Sequence, residues 1–205
     1  MQVSEAFRRI GRAIDSGKPA HGYLLCGDLH GQCDVLTMNL LKKLFPDEIS
    51  QVEKRSHPDV AWLEAEGKSR TIHVKSMREK IVAPMSVTAF SGGWKVGVII
   101  GADRMETEAA NAFLKTLEEP PAHAIFILAT TELHKLPSTI VSRCQRHDFR
   151  RIATDTLVSR LAYISDAEGI GYDTDALRII AKMRILGRIR ICSLRKNEPP
   201  GMNRM

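Results

Sequence analysis

Cysteine is sparse in this chain, with four residues at 26, 33, 144 and 192, none at C-x-x-C spacing from another. That scatter excludes a disulfide framework and a cysteine-ligated zinc module. Seven histidines are present, yet no two stand at the H-x-x-x-H spacing that puts a pair of imidazoles on one helix face, so a helix-borne metal site is not expected either. No apolar run approaches the roughly 20 residues needed to cross a bilayer. The start, Met1-Gln-Val-Ser-Glu-Ala-Phe-Arg-Arg9, lacks the apolar stretch of a secretory signal. Internal repeats and low-complexity segments are missing as well. These absences describe a reduced, cytoplasmic protein without membrane contact.

What is present suits a globular fold: 205 residues, 43% of them apolar and 26% charged. That length accommodates one full domain and a small second one. The net charge of +6 is unevenly placed. Lys182, Arg184, Arg188, Arg190, Arg195, Lys196 and Arg204 face only Glu198, so residues 182–205 carry the whole excess and residues 1–181 are formally neutral. A neutral body lacks the broad basic face of a self-sufficient DNA binder.

Hydrophobic periodicity gives alternating elements. Phe7, Ile10 and Ile14 mark a helix over 3–16, stopped by Gly17-Lys-Pro19. Tyr23–Cys26 is a short buried strand, and a helix follows over about 34–45, ended by Pro46. Strands are predicted at 59–63, 94–100, 124–129 and 146–149, with helices over 74–84 and 105–117; Pro120-Pro121 terminates the last of these. Short apolar strands alternating with helices imply right-handed crossovers and a mostly parallel sheet covered on both faces. After Ile152 the pattern is purely helical, which places a boundary there.

Two stretches carry a resemblance: Gly101-Ala-Asp-Arg-Met-Glu-Thr-Glu-Ala-Ala-Asn-Ala-Phe-Leu-Lys-Thr-Leu-Glu-Glu-Pro-Pro121 and Leu136-Pro-Ser-Thr-Ile-Val-Ser-Arg-Cys-Gln-Arg-His-Asp-Phe149. Together they closely resemble the AAA+ ATPase module of bacterial DNA polymerase III clamp-loader subunits, delta-prime and gamma/tau. The likeness runs over residues 4–186. It implies an α/β, P-loop-type three-layer domain over 1–152 and a small helical lid over 153–186. The family normally adds a helical collar; this chain stops at Met205, so a collar is expected to be absent, and residues 187–205 are expected to be an irregular basic tail. The segment from Arg184 onward does not resemble the continuation of the lid, which suggests a frame break near Met183.

A phosphate loop reads G-x-x-x-x-G-K-[ST], with backbone amides cradling phosphates, a lysine neutralising charge and a hydroxyl on Mg²⁺. The aligned octet is Gly27-Asp-Leu-His-Gly-Gln-Cys-Asp34. Gln32 replaces the second glycine, Cys33 the lysine and Asp34 the hydroxyl. A carboxylate at the helix start opposes phosphate where the dipole and amides would hold it, and Asp34 suits a helix cap or first-turn acid instead. Active relatives place Asp-Glu at the end of the strand that precedes the Ala102-Asp-Arg-Met105 stretch, to bind Mg²⁺ and polarise water; here the positions hold Ile100 and Gly101. Asp103 is read as a cap for the helix that follows. No cofactor is therefore expected, ATP being held by a neighbouring subunit.

Ser142-Arg143-Cys144 matches the family motif whose arginine reaches the ATP site of the next subunit. An arginine supplied in trans stabilises charge on a transferring phosphoryl group. The plainer alternative is a surface arginine paired with an acid such as Asp148. Thr131 stands at the family's first sensor and is read as a strand-end cap, while Arg195 only faintly matches the second sensor. The zinc-binding cysteines of gamma/tau chains are missing from 46–57, so no metal is expected, and His57-Pro-Asp59 matches the family's turn into the second strand. The resemblance implies a non-catalytic subunit acting with gamma/tau and delta on the sliding clamp and, indirectly, primer-template DNA. A gamma/tau-like ATP-binding motor is the alternative, since Gln145–Ile152 is as close to those chains.

Overall fold

The computed structural model describes residues 1–65, 70–91, 93–149 and 154–185, the side chains of the last stretch through Ala181. The chain divides into two compact units, Met1–Arg151 and Ile152–Met205.

In the first unit a five-stranded sheet has the order β2-β3-β4-β1-β5 with every pairing parallel. The strands are β1 (Gly22–Cys26), β2 (Val60–Glu64), β3 (Lys95–Ile100), β4 (Ala124–Thr130) and β5 (Gln145–Asp148). Their side chains alternate between two cores, as period-2 geometry requires. Tyr23, Leu25, Val96, Val98, Ile125 and Ile127 face one core. There α1 (Val3–Asp15) presents Ala6 and Ile10, and α2 (Asp34–Leu44) presents Leu36, Leu40 and Leu41. Leu24, Ile99, Ala124, Phe126 and Leu128 face the other. On that side Phe113 of α6 (Thr107–Glu118) meets Phe126 edge-on, with ring centroids 5.2 Å apart. Burial on both faces explains why the strands read as continuous apolar runs.

Three features depart from the periodicity reading. A short helix α3 (Ile49–Glu53) follows Pro46–Glu48, where no element was expected. The helix over 74–85 is not uniform: α4 (Val74–Met77) and α5 (Ala83–Met85) flank a π turn at Arg78–Val82. Pro84 has no N–H to give and its ring crowds the carbonyl four residues back, which the wider turn relieves. Finally, residues Leu29–Cys33, ahead of α2, also form a π turn.

The described part of the second unit contains α8 (Thr154–Ala167) and α9 (Thr174–Ile185), which bury Leu177 and Ala181. Asp173 Oδ1 accepts the N–H of Asp175 at the start of α9. The basic tail 187–205, with Arg195, lies outside the described residues.

Candidate functional site

Because the sheet is parallel, the loops that could hold a ligand gather at the carboxyl ends of the strands. Gly27–Cys33 leaves β1 there, and Gly27 N–H donates to Thr130 O of β4 at 3.0 Å. In a phosphate cradle the loop N–H groups would converge on empty space; here they converge on Asp28. Its carboxylate Oδ1 accepts from His30 N at 3.3 Å, and its carbonyl accepts from Gly31 N at 3.3 Å and Cys33 N at 3.1 Å. The carboxylate lies so close to Gly31 that a Cβ there would stand 2.4 Å from Oδ2, so any side chain at this position would have to displace the Asp28 carboxylate.

Cys33, at the place of the phosphate-binding lysine, points into the core. It is fully buried beneath α2, with Sγ 3.8 Å from Leu25 O. Burial, followed by the nearby Cys26, Asp28 and Asp34, pushes its thiol pKa up to about 12, so it is neither a cation nor a nucleophile. Asp34 does occupy the first turn of α2, but it caps nothing: its Oδ1 accepts from Arg55 Nη2 at 2.8 Å. Arg55 in turn stacks over Trp62 at 4.5 Å from the ring centroid. Gln32 is half-buried in the same π turn.

The acidic positions are equally altered. Ile100 is buried in the core, and Gly101 takes φ +74°, a left-handed turn out of β3 that favours glycine. Asp103 is not a cap for α6, as had been expected; α6 begins at Thr107 without a side-chain cap. Asp103 instead accepts from Thr130 Oγ1 at 2.5 Å and from Thr131 N at 3.3 Å. The strand end is therefore capped through Thr130, whose Oγ1 also accepts from Glu132 N, and not through the exposed Thr131. Tertiary proximity of the β3 and β4 ends outweighs the local helix start four residues away in sequence.

Ser142, Arg143 and Cys144 lie elsewhere. They form the turn between α7 (Ser138–Val141) and β5, at the amino ends of the strands. A Cβ on Gly22, the first residue of β1, would stand 2.9 Å from Cys144 Sγ. Cys144 is largely inside, and burial raises its pKa to about 11; Cys26, also partly buried, is raised to about 11 by burial and by Asp148. The structure therefore separates Arg143 from its own loop by the length of β1, roughly 13 Å at 3.3 Å per residue. Arg143 pairs with Glu118, Nη2 to Oε1 at 2.8 Å, while Nη1 donates to Thr139 O at 2.8 Å. Asp148, the acid expected to compete for it, is taken by Arg146 at 2.7 Å.

The same amino end of the sheet contains a buried polar knot that motif reading took only for a turn. Asp59, at the end of His57-Pro-Asp59, is fully buried and accepts the N–H groups of Phe90 at 2.7 Å and Ser91 at 2.9 Å, with Lys95 Nζ 3.9 Å away. Burial alone would raise its pKa; the hydrogen bonds from Phe90 and Ser91 and the Lys95 charge outweigh that and hold it below the ordinary value. His57 Nδ1 accepts from Asp59 N, so its proton sits on Nε2, 3.1 Å from Glu48 Oε2. Among the described residues no group of three or more His, Cys, Asp or Glu side chains is disposed to hold a metal ion, and no helix is long and apolar enough to cross a membrane.

A family model described as DNA polymerase III, delta subunit, matches residues 2–153. The tau subunit of DNA polymerase III from Bacillus subtilis is 45% identical over 124 residues, 60% of this chain and 21% of that protein. The gamma/tau subunit from Mycoplasma pneumoniae is 30% identical over 188 residues, 86% of this chain and 27% of that protein. Among solved structures, a DNA polymerase III gamma subunit-related protein from Thermotoga maritima superposes with a TM-score of 0.57 at 27% identity, over 78% of this chain and 50% of that one. The chain thus spans about a quarter of the length of these two curated relatives. With the family model matching well over half of its residues, and this sheet and motif set beneath it, the chain belongs to the DNA polymerase III clamp-loader family of AAA+ proteins.

Proposed function

We propose that this chain serves as a clamp-loader subunit of DNA polymerase III that binds no ATP itself and contributes Arg143 to the ATP site of a neighbouring subunit. Its partners would be gamma/tau and delta subunits and, through the assembly, the sliding clamp and primer-template DNA. The observation that carries this reading is the loop Gly27–Cys33, whose N–H groups are engaged by Asp28 and whose lysine position is a buried cysteine. Ile100 and Gly101 stand in the acidic positions, and the nearby carboxylates are already engaged, Asp34 by Arg55 and Asp103 by Thr130 and Thr131, which disfavours their use as Mg²⁺ ligands.

Arg143 supports the second half of the reading. Its guanidinium has five N–H donors, two of which meet Glu118 and Thr139. The remaining three suit the forked recognition of phosphate oxygens. Its distance from its own loop favours action on another subunit. The test is equilibrium binding of Mg²⁺-ATP to the purified chain by calorimetry. No heat up to millimolar nucleotide is the expected result. The likeness to gamma/tau chains favours one competing reading, an ATP-binding motor subunit, and micromolar affinity would put that reading in its place.

A further inference from the structure

Glu118 stands at an electrostatically unfavourable place. It is the last residue of α6, followed by Glu119 as C-cap and by Pro120-Pro121. A carboxylate in the last turn faces the negative end of the helix dipole, where a cation is favoured. Arg143 provides that cation from 25 residues further along the chain, at 2.8 Å. The pair is well exposed, 37% for Arg143 and 43% for Glu118, and exposed ion pairs add little to folding. Fold stability therefore gives a weak account of why an acid ends this helix.

The geometry accounts for it better. Nη2 of Arg143 donates to Glu118 and Nη1 to Thr139 O of α7, a carbonyl that also accepts from Ser142 Oγ at 3.1 Å, so one acceptor from each of two helices fixes the plane of the guanidinium. The backbone beneath is held too: Arg143 N–H donates to Ile140 O and Cys144 N–H to Val141 O, with Cys144 packed against β1. One N–H on each terminal nitrogen and the Nε–H have no hydrogen-bond partner among the described residues. A long, flexible side chain is thereby presented in one orientation before any partner arrives, which limits the ordering it must undergo on docking.

We propose that Glu118 is a positioning residue for Arg143, aligning its guanidinium for the phosphate of a nucleotide held by the adjoining subunit. This rests on the function proposed above. The test uses the full chain reconstituted with its partner subunits, clamp and primed DNA, and compares ATP turnover for the parent, Arg143→Ala, Glu118→Ala, Glu118→Gln and the Arg143→Ala/Glu118→Ala double variant. Positioning predicts that Glu118→Ala lowers kcat about tenfold with KM for ATP little changed. Glu118→Gln, which keeps the acceptor oxygen, should recover most of that loss. The double variant should be no slower than Arg143→Ala alone, because Glu118 acts only through the arginine.

Parental turnover in Glu118→Ala alongside a slow Arg143→Ala would overturn the positioning role and leave the finger intact. Faster turnover in Glu118→Ala would mean that Glu118 restrains the arginine, and would overturn the proposal too. Losses that add in the double variant would reassign Glu118 to assembly or folding, which thermal unfolding of the isolated variant reports separately. Unchanged turnover in Arg143→Ala would overturn the finger reading itself and Glu118's role with it.

Discussion

The two ends of strand β1 present opposite solutions to the same polar problem. At its carboxyl end the loop after Cys26 turns inward, and its N–H groups close on Asp28. At its amino end the turn carrying Arg143 is tied at two points and leaves three donors unengaged. Open α/β sheets ordinarily bind their ligands at the carboxyl end. Here that end is satisfied from within, while the group suited to phosphate chemistry sits at the other. The loop amides are satisfied locally, His30 N–H donating to the Asp28 carboxylate and the Gly31 and Cys33 N–H groups to its carbonyl, so the closed loop leaves none of these three donors unpaired ahead of α2.

The comparison breaks most visibly at Arg143. Arg143→Ala should depress ATP turnover of a reconstituted loader at the site it serves by about 10³-fold or more. Arg143→Lys should recover little of this, because a point charge cannot reproduce the fork. Asp28→Ala at the opposite end should leave turnover unchanged. The reverse pattern, a silent Arg143 and a sensitive Asp28, would invert the assignment of the two ends.

The amino end is also where the larger stability effect is expected. Asp59→Ala removes the acceptor of the Phe90 and Ser91 N–H groups and the buried charge facing Lys95, which keeps only the Val87 and Thr88 carbonyls, and should destabilise the first unit by about 3 kcal/mol in urea unfolding. The carboxyl-end counterpart is milder: Asp28→Ala removes a cap and should cost about 1 kcal/mol. It should confer no ATP binding, because Cys33 and Asp34 remain. If the two costs come out equal, the contrast between a structural amino end and a merely closed carboxyl end fails.

The smallest effect concerns β5. His147 is buried with neither ring nitrogen hydrogen-bonded. Burial, and then the charge of Arg9, hold its pKa below the ordinary value, against a smaller opposing pull from Asp148. The unfolded chain therefore binds a proton more readily than the folded one below about pH 6.5. The stability linked to His147 is complete above that pH and is lost as pH falls toward the lowered folded value. His147→Phe should flatten this acid limb; an unaltered pH profile in the variant would show that another group titrates.

Much of the fold could be read from residues alone. Runs such as Ala124–Ala129 lie on a doubly covered sheet, where apolar continuity and strand length are nearly sufficient. The stops at Pro46 and Pro120 and the turn at His57-Pro-Asp59 followed from backbone chemistry. In the loop after β1 the residue types alone were legible: Cys33 and Asp34 stand where a phosphate loop carries lysine and hydroxyl. The closing of that loop on Asp28 had only a faint signal, an acid two residues before a backbone donor. Asp103 was misassigned because its partners, Thr130 and Thr131, come from another strand, and local capping rules know nothing of them. The Glu118–Arg143 pair spans 25 positions and two helices, and no periodicity connects such residues.

One consequence of the Asp59 knot concerns time as well as shape. Phe90 is 85% exposed, the kind of residue found at a loop tip that opens and closes freely, yet its amide and that of Ser91 are hydrogen-bonded to a carboxylate with no contact to solvent. Amides held this way exchange with deuterium only when the surrounding structure opens. The loop around Phe90 should thus behave as a wet surface with the exchange clock of a sheet strand, its side chains mixing with water while its backbone keeps the rhythm of the core.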